Sequence, residues 1–202
     1  IIKSPGIPNE IEIIKRAKEK KIKIISEIEF ASFFTKYPII GITGSNGKST
    51  TVKLIHNVFK RAGYNPALGG NIGIPFSKNV LEEFSRKGSK RIHILELSSF
   101  QLEHTKDLRL EIGCLLNLSE DHLDRYNNYD DYISTKLNIL KLINTDGYIL
   151  FNKDDKILDE RLKKCNNTIS FSHEDIRKIN LDSMKLHLKG KHNYSNVAAT
   201  IA

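Results

Sequence analysis

The stretch Gly41-Ile42-Thr43-Gly44-Ser45-Asn46-Gly47-Lys48-Ser49-Thr50 holds the residue types that bind a nucleotide's phosphates. Glycines let backbone N–H groups turn inward around anionic oxygens. A helix starting on such a turn adds the positive end of its dipole. Lys48 supplies an ammonium group for the β- and γ-phosphates, and Ser49 or Thr50 a hydroxyl for Mg2+. The spacing departs from the common phosphate-loop pattern, in which a glycine stands five positions before the second one. Here Ile42 stands there, and the loop reads GxxGK[ST], anchored by Gly44 and Gly47. A glycine-rich turn alone could be a tight strand-to-helix connection. A lysine followed by two hydroxyl residues points instead to ATP or GTP.

Two acidic stretches could complete a site. Glu96-Leu97-Ser98-Ser99-Phe100-Gln101-Leu102-Glu103 follows the apolar run Ile92–Leu95. A carboxylate at a strand end beside a phosphate loop can hold Mg2+ directly or through water. The alternative is a capping role, with Ser98 or Ser99 starting a helix. The second stretch, Asn117 to Tyr126, packs Glu120, Asp121, His122, Asp124 and Arg125 together. A neutral imidazole at a buried strand end, amid carboxylates, can coordinate a divalent ion. Lys136, in YDDYISTKLNIL, carries no signal by itself, because a helical lysine ordinarily faces solvent.

These residues need a frame. Pro38–Thr43 is an apolar, β-branched run of strand length, followed by the loop and a helix from about Ser49 to Arg61, with Gly63 as its stop. Further strands are expected at Lys23–Ile25, 64–68, Ile92–Leu95, Ile112–Leu118 and Gly147–Phe151. Helices are expected at 9–20 with Asn9 as N-cap, at 27–35, at 76–86 and at Tyr129–Ile143. Strands alternating with helices predict an α/β fold with a mostly parallel sheet and flanking helices. Ligands bind such sheets outside the carboxyl ends of the strands, where the residues above fall. After Asp155 the pattern weakens.

With 202 residues, 39% hydrophobic and 28% charged, the composition is that of a soluble globular protein. No apolar run is long enough to span a membrane, and no secretory signal is visible. Two cysteines, Cys114 and Cys165, lie far apart, which excludes a disulfide framework and a zinc ribbon and suits a reducing cytoplasm. The net charge of +8 is spread among mixed charges, as on a solvated basic surface. A nucleic-acid-linked ATPase is the competing class, but no aromatic-rich basic patch supports it. The chain opens on Ile1 and closes on the helix-like NVAATIA, and is expected to be a piece of a longer protein.

The motifs SPGIP (4–8), TGSNGKST (43–50), GGNIGIP (69–75), ELSSFQLE (96–103), NLSEDHLDRY (117–126) and GKHNYSN (190–196) occur in the order found in the Mur ligases. The chain resembles that family over nearly its whole length, and SPGIP with ELSSFQLE resembles its D-glutamate-adding branch. The resemblance implies a P-loop NTPase-like central domain over residues 35–202, incomplete at its C-terminal end. Residues 1–34 would be the end of a UDP-binding domain and linker, and a third domain would be absent. It implies ATP and Mg2+ as cofactors, and UDP-N-acetylmuramoyl-L-alanine and D-glutamate as substrates joined through an acyl phosphate. Another amino-acid ligase of the superfamily, such as a folylpolyglutamate synthase, is the alternative. A cytoplasmic monomer is expected, with no nucleic-acid partner and no membrane insertion.

Residue by residue, the resemblance assigns Gly44, Ser45, Asn46, Gly47, Lys48, Ser49 and Thr50 to the ATP phosphates. Lys48 is the principal cation, and Ser49 or Thr50 faces one Mg2+. Glu96 matches the family's metal-binding glutamate and His122 the histidine on a second Mg2+. Lys136 matches a lysine that becomes carbamylated and then ligates metal. Lys48, His122 and Lys136 are thus the implied catalytic set. Asn71 and Ser98 would contact the muramoyl substrate. Asn193 and Asn196 would bind the adenine, or else cap a helix starting near Tyr194.

Overall fold

The computed structural model describes residues 1–85, 90–121, 125–177 and 190–202. Six strands form one parallel sheet: β3 (Ile39–Thr43), β4 (Asn65–Gly70), β5 (Arg91–Glu96), β6 (Leu110–Leu115), β7 (Ile143–Asn152) and β8 (Thr168–Phe171), in the order β4-β5-β3-β6-β7-β8. Every neighbouring pair is parallel. A smaller parallel pair, β1 (Ile2–Lys3) with β2 (Ile25–Ser26), stands before it, linked by α1 (Glu12–Glu19).

All five residues of β3 are buried, because helices cover both faces of the sheet. Alternation along the strand decides which layer each side chain enters. Ile40 and Ile42 pack with Ile94 and Cys114 against Val52 and Ile55 of α3 (Lys48–Arg61) and Val197 and Ala198 of α9 (Lys191–Ile201). Ile39, Leu95 and Leu115 pack on the other face against α2 (Glu27–Ser32), α4 (Phe76–Glu83), α5 (Ser99–Glu103) and α6 (Tyr129–Leu137). Two short helices, α7 (Lys156–Leu162) and α8 (His173–Arg177), complete the layers through Leu158 and Ile176. Cys114 is a buried core thiol, pushed up by burial to about 12, and Cys165 is exposed; both are free.

The α/β class and the strand–loop–helix unit agree with the sequence reading. Four local expectations do not. Asn9 caps nothing: α1 begins three residues later, after Ile11, and the Asn9 side chain accepts from Lys3 and donates to Glu103. The helix expected to run to Ile143 ends at Leu137; a 3-10 turn covers Asn138–Leu142, and Ile143 opens β7. Ile133, Leu137, Leu140 and Ile143 all pack on one core across the turn, which sustains the apolar spacing that mimicked a longer helix. The strand expected at Lys23–Ile25 lies at Ile25–Ser26, and the one expected to reach Leu118 stops at Leu115.

The amino-terminal part is tied to the sheet. Ile28 and Ala31 of α2 lie in the same core as Leu95 and Leu115. Glu29, fully buried, accepts the backbone N–H groups of Lys106, Asp107 and Leu108 at 2.9–3.0 Å. Among the described residues no helix is long and apolar enough to cross a membrane.

Candidate active site

Three strand ends meet beside the first turn of α3. The register sets Ile42 opposite Glu96, and Glu96 opposite Gly70. Gly70 has φ +93°, and a Cβ there would run into the carbonyl oxygen of Glu96; glycine lets β4 close on that strand end. The next residue, Asn71, is fixed twice: its N–H donates to the Glu96 carbonyl, and its side-chain amide donates to Glu96 Oε1 at 2.9 Å.

Gly47, at φ +86°, turns the chain into α3, and no side chain caps that helix. Its first-turn N–H groups lack intrahelical acceptors, and no acidic residue stands in the turn itself. Here Ser49 Oγ donates to Glu96 Oε2 at 2.7 Å. Glu96 is thus held between the loop hydroxyl and Asn71, and it is buried. Thr50 follows Ser49 in the same first turn.

The Lys48 Nζ donates to the carbonyl oxygens of Gly44 and Ser45, both at 2.8 Å. Burial pulls its pKa below the usual lysine value, against the opposing pull of Glu96 and Asp121. Lys136 is also buried, at 2% exposure, which the helical pattern did not foretell. Its Nζ crosses 92 positions of sequence to donate to the same Gly44 carbonyl at 2.9 Å, and lies 4.8 Å from the centre of the Tyr132 ring. Burial first, and then the charge of Lys48, lower its pKa to about 7; Asp121 opposes them.

The loop is strapped from the side by the chain leaving β6. The Ser45 N–H donates to the Asn117 carbonyl at 3.0 Å. The Asn46 N–H donates to Asn117 Oδ1 at 2.8 Å, and Asn117 Nδ2 returns a bond to the Asn46 carbonyl at 2.9 Å. Ser45 Oγ receives the Ser119 N–H, donates to the Ser119 carbonyl, and lies 2.9 Å from the Tyr132 hydroxyl. Asn117 and Tyr132 were not singled out from the sequence, because their partners lie 71 and 87 positions away.

Ser98 is the N-cap of α5 in a capping box with Gln101, so the alternative capping role for this stretch is realised at Ser98. Glu96 stands outside that cap and faces the loop. Asn193 and Asn196 cap nothing: α9 starts at Lys191 after Gly190, which puts both inside the helix. Asn196 is buried, and its side-chain oxygen lies where a Cβ on Gly47 would fall. A cleft of about 380 Å3 lies between loop and helix, lined by Asn46, Gly47, Asn117, Asn152, His192 and Asn196. The SPGIP loop lines a separate small pocket with Phe100, Arg125 and Tyr126. His122 falls on residues 122–124, outside the described residues. Among the described residues no group of three or more His, Cys, Asp or Glu side chains is gathered for a metal. The pair Ser49 Oγ and Glu96 Oε2 suits Mg2+, a hard cation that takes few protein oxygens and keeps waters or phosphates.

A glycine-rich loop, a buried strand-end carboxylate and a buried lysine thus lie together on one parallel sheet. The Mur ligase middle domain family matches residues 42–202, and the chain belongs to the Mur ligase family. It is 38% identical to a UDP-N-acetylmuramoylalanine--D-glutamate ligase of Christiangramia forsetii, with 98% of this chain and 48% of that protein covered. The enzymes of the same name from Bacteroides fragilis and Buchnera aphidicola are 38% and 39% identical, over 100% of this chain and 49% and 48% of theirs. The chain therefore spans about half the length of the curated relatives it matches.

The fold recurs in solved structures. It superposes on UDP-N-acetylmuramate:L-alanyl-gamma-D-glutamyl-meso-diaminopimelate ligase from Neisseria meningitides with a TM-score of 0.66 at 18% identity, covering 97% of this chain and 70% of that one. For the Thermotoga maritima MurF ligase in complex with ADP the TM-score is 0.56 at 19% identity, covering 79% and 43%.

Proposed function

We propose that the chain is the ATP-binding part of a ligase that joins D-glutamate to UDP-N-acetylmuramoyl-L-alanine in peptidoglycan synthesis. The observation that carries this reading is the convergence of Lys48, Ser49, Glu96, Asn71 and Lys136 on one loop. The names of the relatives supply the substrates. Residues 35–202 are then most of the ATP-binding domain, and residues 1–34 the end of a UDP-binding domain. Ile28 and Ala31 of α2 pack into the core of the sheet. Two free thiols suit a reducing cytoplasm.

The chemistry has two steps. The substrate carboxylate oxygen attacks the γ-phosphorus of ATP, a P–O bond forms, and ADP leaves. The D-glutamate amine then attacks the acyl carbon, the C–O bond to phosphate breaks, and the nitrogen loses a proton. Both steps gather anions, so cationic and dipolar groups must meet them. The N–H groups at the start of α3 and the Lys48 ammonium bind and orient the phosphates. Asn71 fixes Glu96 and is assigned to the muramoyl substrate. Asn196 and the cleft beside Gly47 receive the adenine. Ser49 and Glu96 would hold one Mg2+, with His122 and a carbamylated Lys136 on a second. Bound Mg2+ would neutralise charge between the phosphate and carboxylate oxygens. A lysine pKa of about 7 leaves a neutral amine able to take up CO2 with loss of one proton.

The test is to supply the intact protein with ATP, UDP-N-acetylmuramoyl-L-alanine and each amino acid in turn. Phosphate release only with D-glutamate is expected. Equal release with L-lysine, meso-diaminopimelate or L-glutamate would assign it to a sister ligase.

A further inference from the structure

We infer that Asn117 is a positioning residue that locks the nucleotide loop to the acidic segment after β6, so that phosphate binding and placement of that segment are one event. The inference rests on the nucleotide reading above. Three bonds join Asn117 to two consecutive loop residues. Its carbonyl takes the Ser45 N–H, its Oδ1 takes the Asn46 N–H, and its Nδ2 gives to the Asn46 carbonyl. The side-chain amide thereby imitates the peptide of a paired strand where the sheet has ended.

The Ser45 and Asn46 N–H groups, which the motif alone would aim at phosphate, already have acceptors on Asn117. The anion is left with the N–H groups from Gly47 onward, at the start of α3. The strap fixes where those groups point.

The same segment is pinned from beyond. The Leu118 N–H donates to Asp155 Oδ2 at 2.6 Å, while Asp155 Oδ1 caps α7 through Ile157 and Leu158. Ser119 closes on Ser45 through two bonds. Two positions further lies Asp121, whose charge acts on both Lys48 and Lys136. Asn117 is therefore the joint between the phosphate half of the site and its acidic half, and it touches the loop backbone rather than reacting atoms.

The experiment replaces Asn117 with Asp in the intact protein. The change keeps size and Oδ1 but sets a carboxylate oxygen against the Asn46 carbonyl. Calorimetric titration with MgATP should give a Kd raised about tenfold or more, and steady-state rates a raised KM for ATP. The melting temperature without nucleotide should stay within a few degrees, and the KM for the UDP-linked substrate within about twofold. A Kd for MgATP within twofold of the parent would overturn the inference. So would a uniform loss of melting temperature and of both affinities, the signature of a purely structural residue. If the Asp variant does not fold, Asn117→Ser is read by the same measures. Lys48→Ala is titrated alongside: unaltered MgATP affinity there would sink the nucleotide reading itself, whereas a loss there with none at Asn117 sinks only the strap.

Discussion

Lys136 and Lys48 meet on one atom: the carbonyl oxygen of Gly44 accepts from both ammonium groups, at 2.9 and 2.8 Å. Burial first, and then the charge of the half-buried Lys48, hold the pKa of Lys136 at about 7. A pKa there leaves part of Lys136 as the neutral amine near neutral pH.

Carbamylation should therefore titrate. The folded pKa of Lys136 lies below the lysine value of 10.5, so the neutral amine accumulates as pH rises through about 7. With 13C-labelled bicarbonate, a carbamate carbon signal should grow between pH 6 and pH 8 and be missing in Lys136→Arg. An equal signal in that variant, or one insensitive to pH, would place the modification elsewhere or nowhere.

Within β5, His93 is fully buried beside Glu83, with the Thr35 hydroxyl donating to the same carboxylate. Burial, and then Arg91, depress the His93 pKa to about 4. Between 6.5 and 4 the unfolded chain binds the proton that the folded one refuses, so stability must fall as pH drops through that window. The loss should approach about 3 kcal/mol at most. Glu83, whose pKa is raised by burial, acts in the opposite sense and trims it. Denaturant melts of His93→Gln should show a flatter pH dependence than the parent; parallel curves would refute the assignment.

Glu29 offers a test of the joint between α2 and the sheet. Its carboxylate is the acceptor for three consecutive backbone N–H groups at Lys106, Asp107 and Leu108. Glu29→Ala would orphan buried donors and should cost about 3 kcal/mol. Urea unfolding reads the change directly, and a shift under about 0.5 kcal/mol would mean the contact is dispensable.

The sequence made the central unit legible because its physics is local. A β-branched run, a glycine turn and a lysine-hydroxyl helix start can each be read within a few residues. Glu96 was reachable for the same reason, as the acidic end of a short apolar strand. What escaped was set by distance along the chain. Asn9 looks like a cap until Lys3 and Glu103 claim its side chain. Lys136 looks like a surface lysine until α6 packs it under Gly44. Asn193 and Asn196 look like caps until α9 begins at Lys191. Asn117 opens a motif and Tyr132 lies in none, but the strapping role of each exists only once β6 and α6 lie beside the loop.

The central proposed step is transfer of phosphate to a carboxylate at the Gly44–Thr50 loop. Its most direct measurement uses UDP-N-acetylmuramoyl-L-alanine labelled with 18O in the carboxylate, with ATP, Mg2+, D-glutamate and the intact protein. One 18O atom should appear in each phosphate released, and Lys48→Ala should release none above background. Phosphate free of label, or a Lys48→Ala variant working at the parent rate, would contradict it.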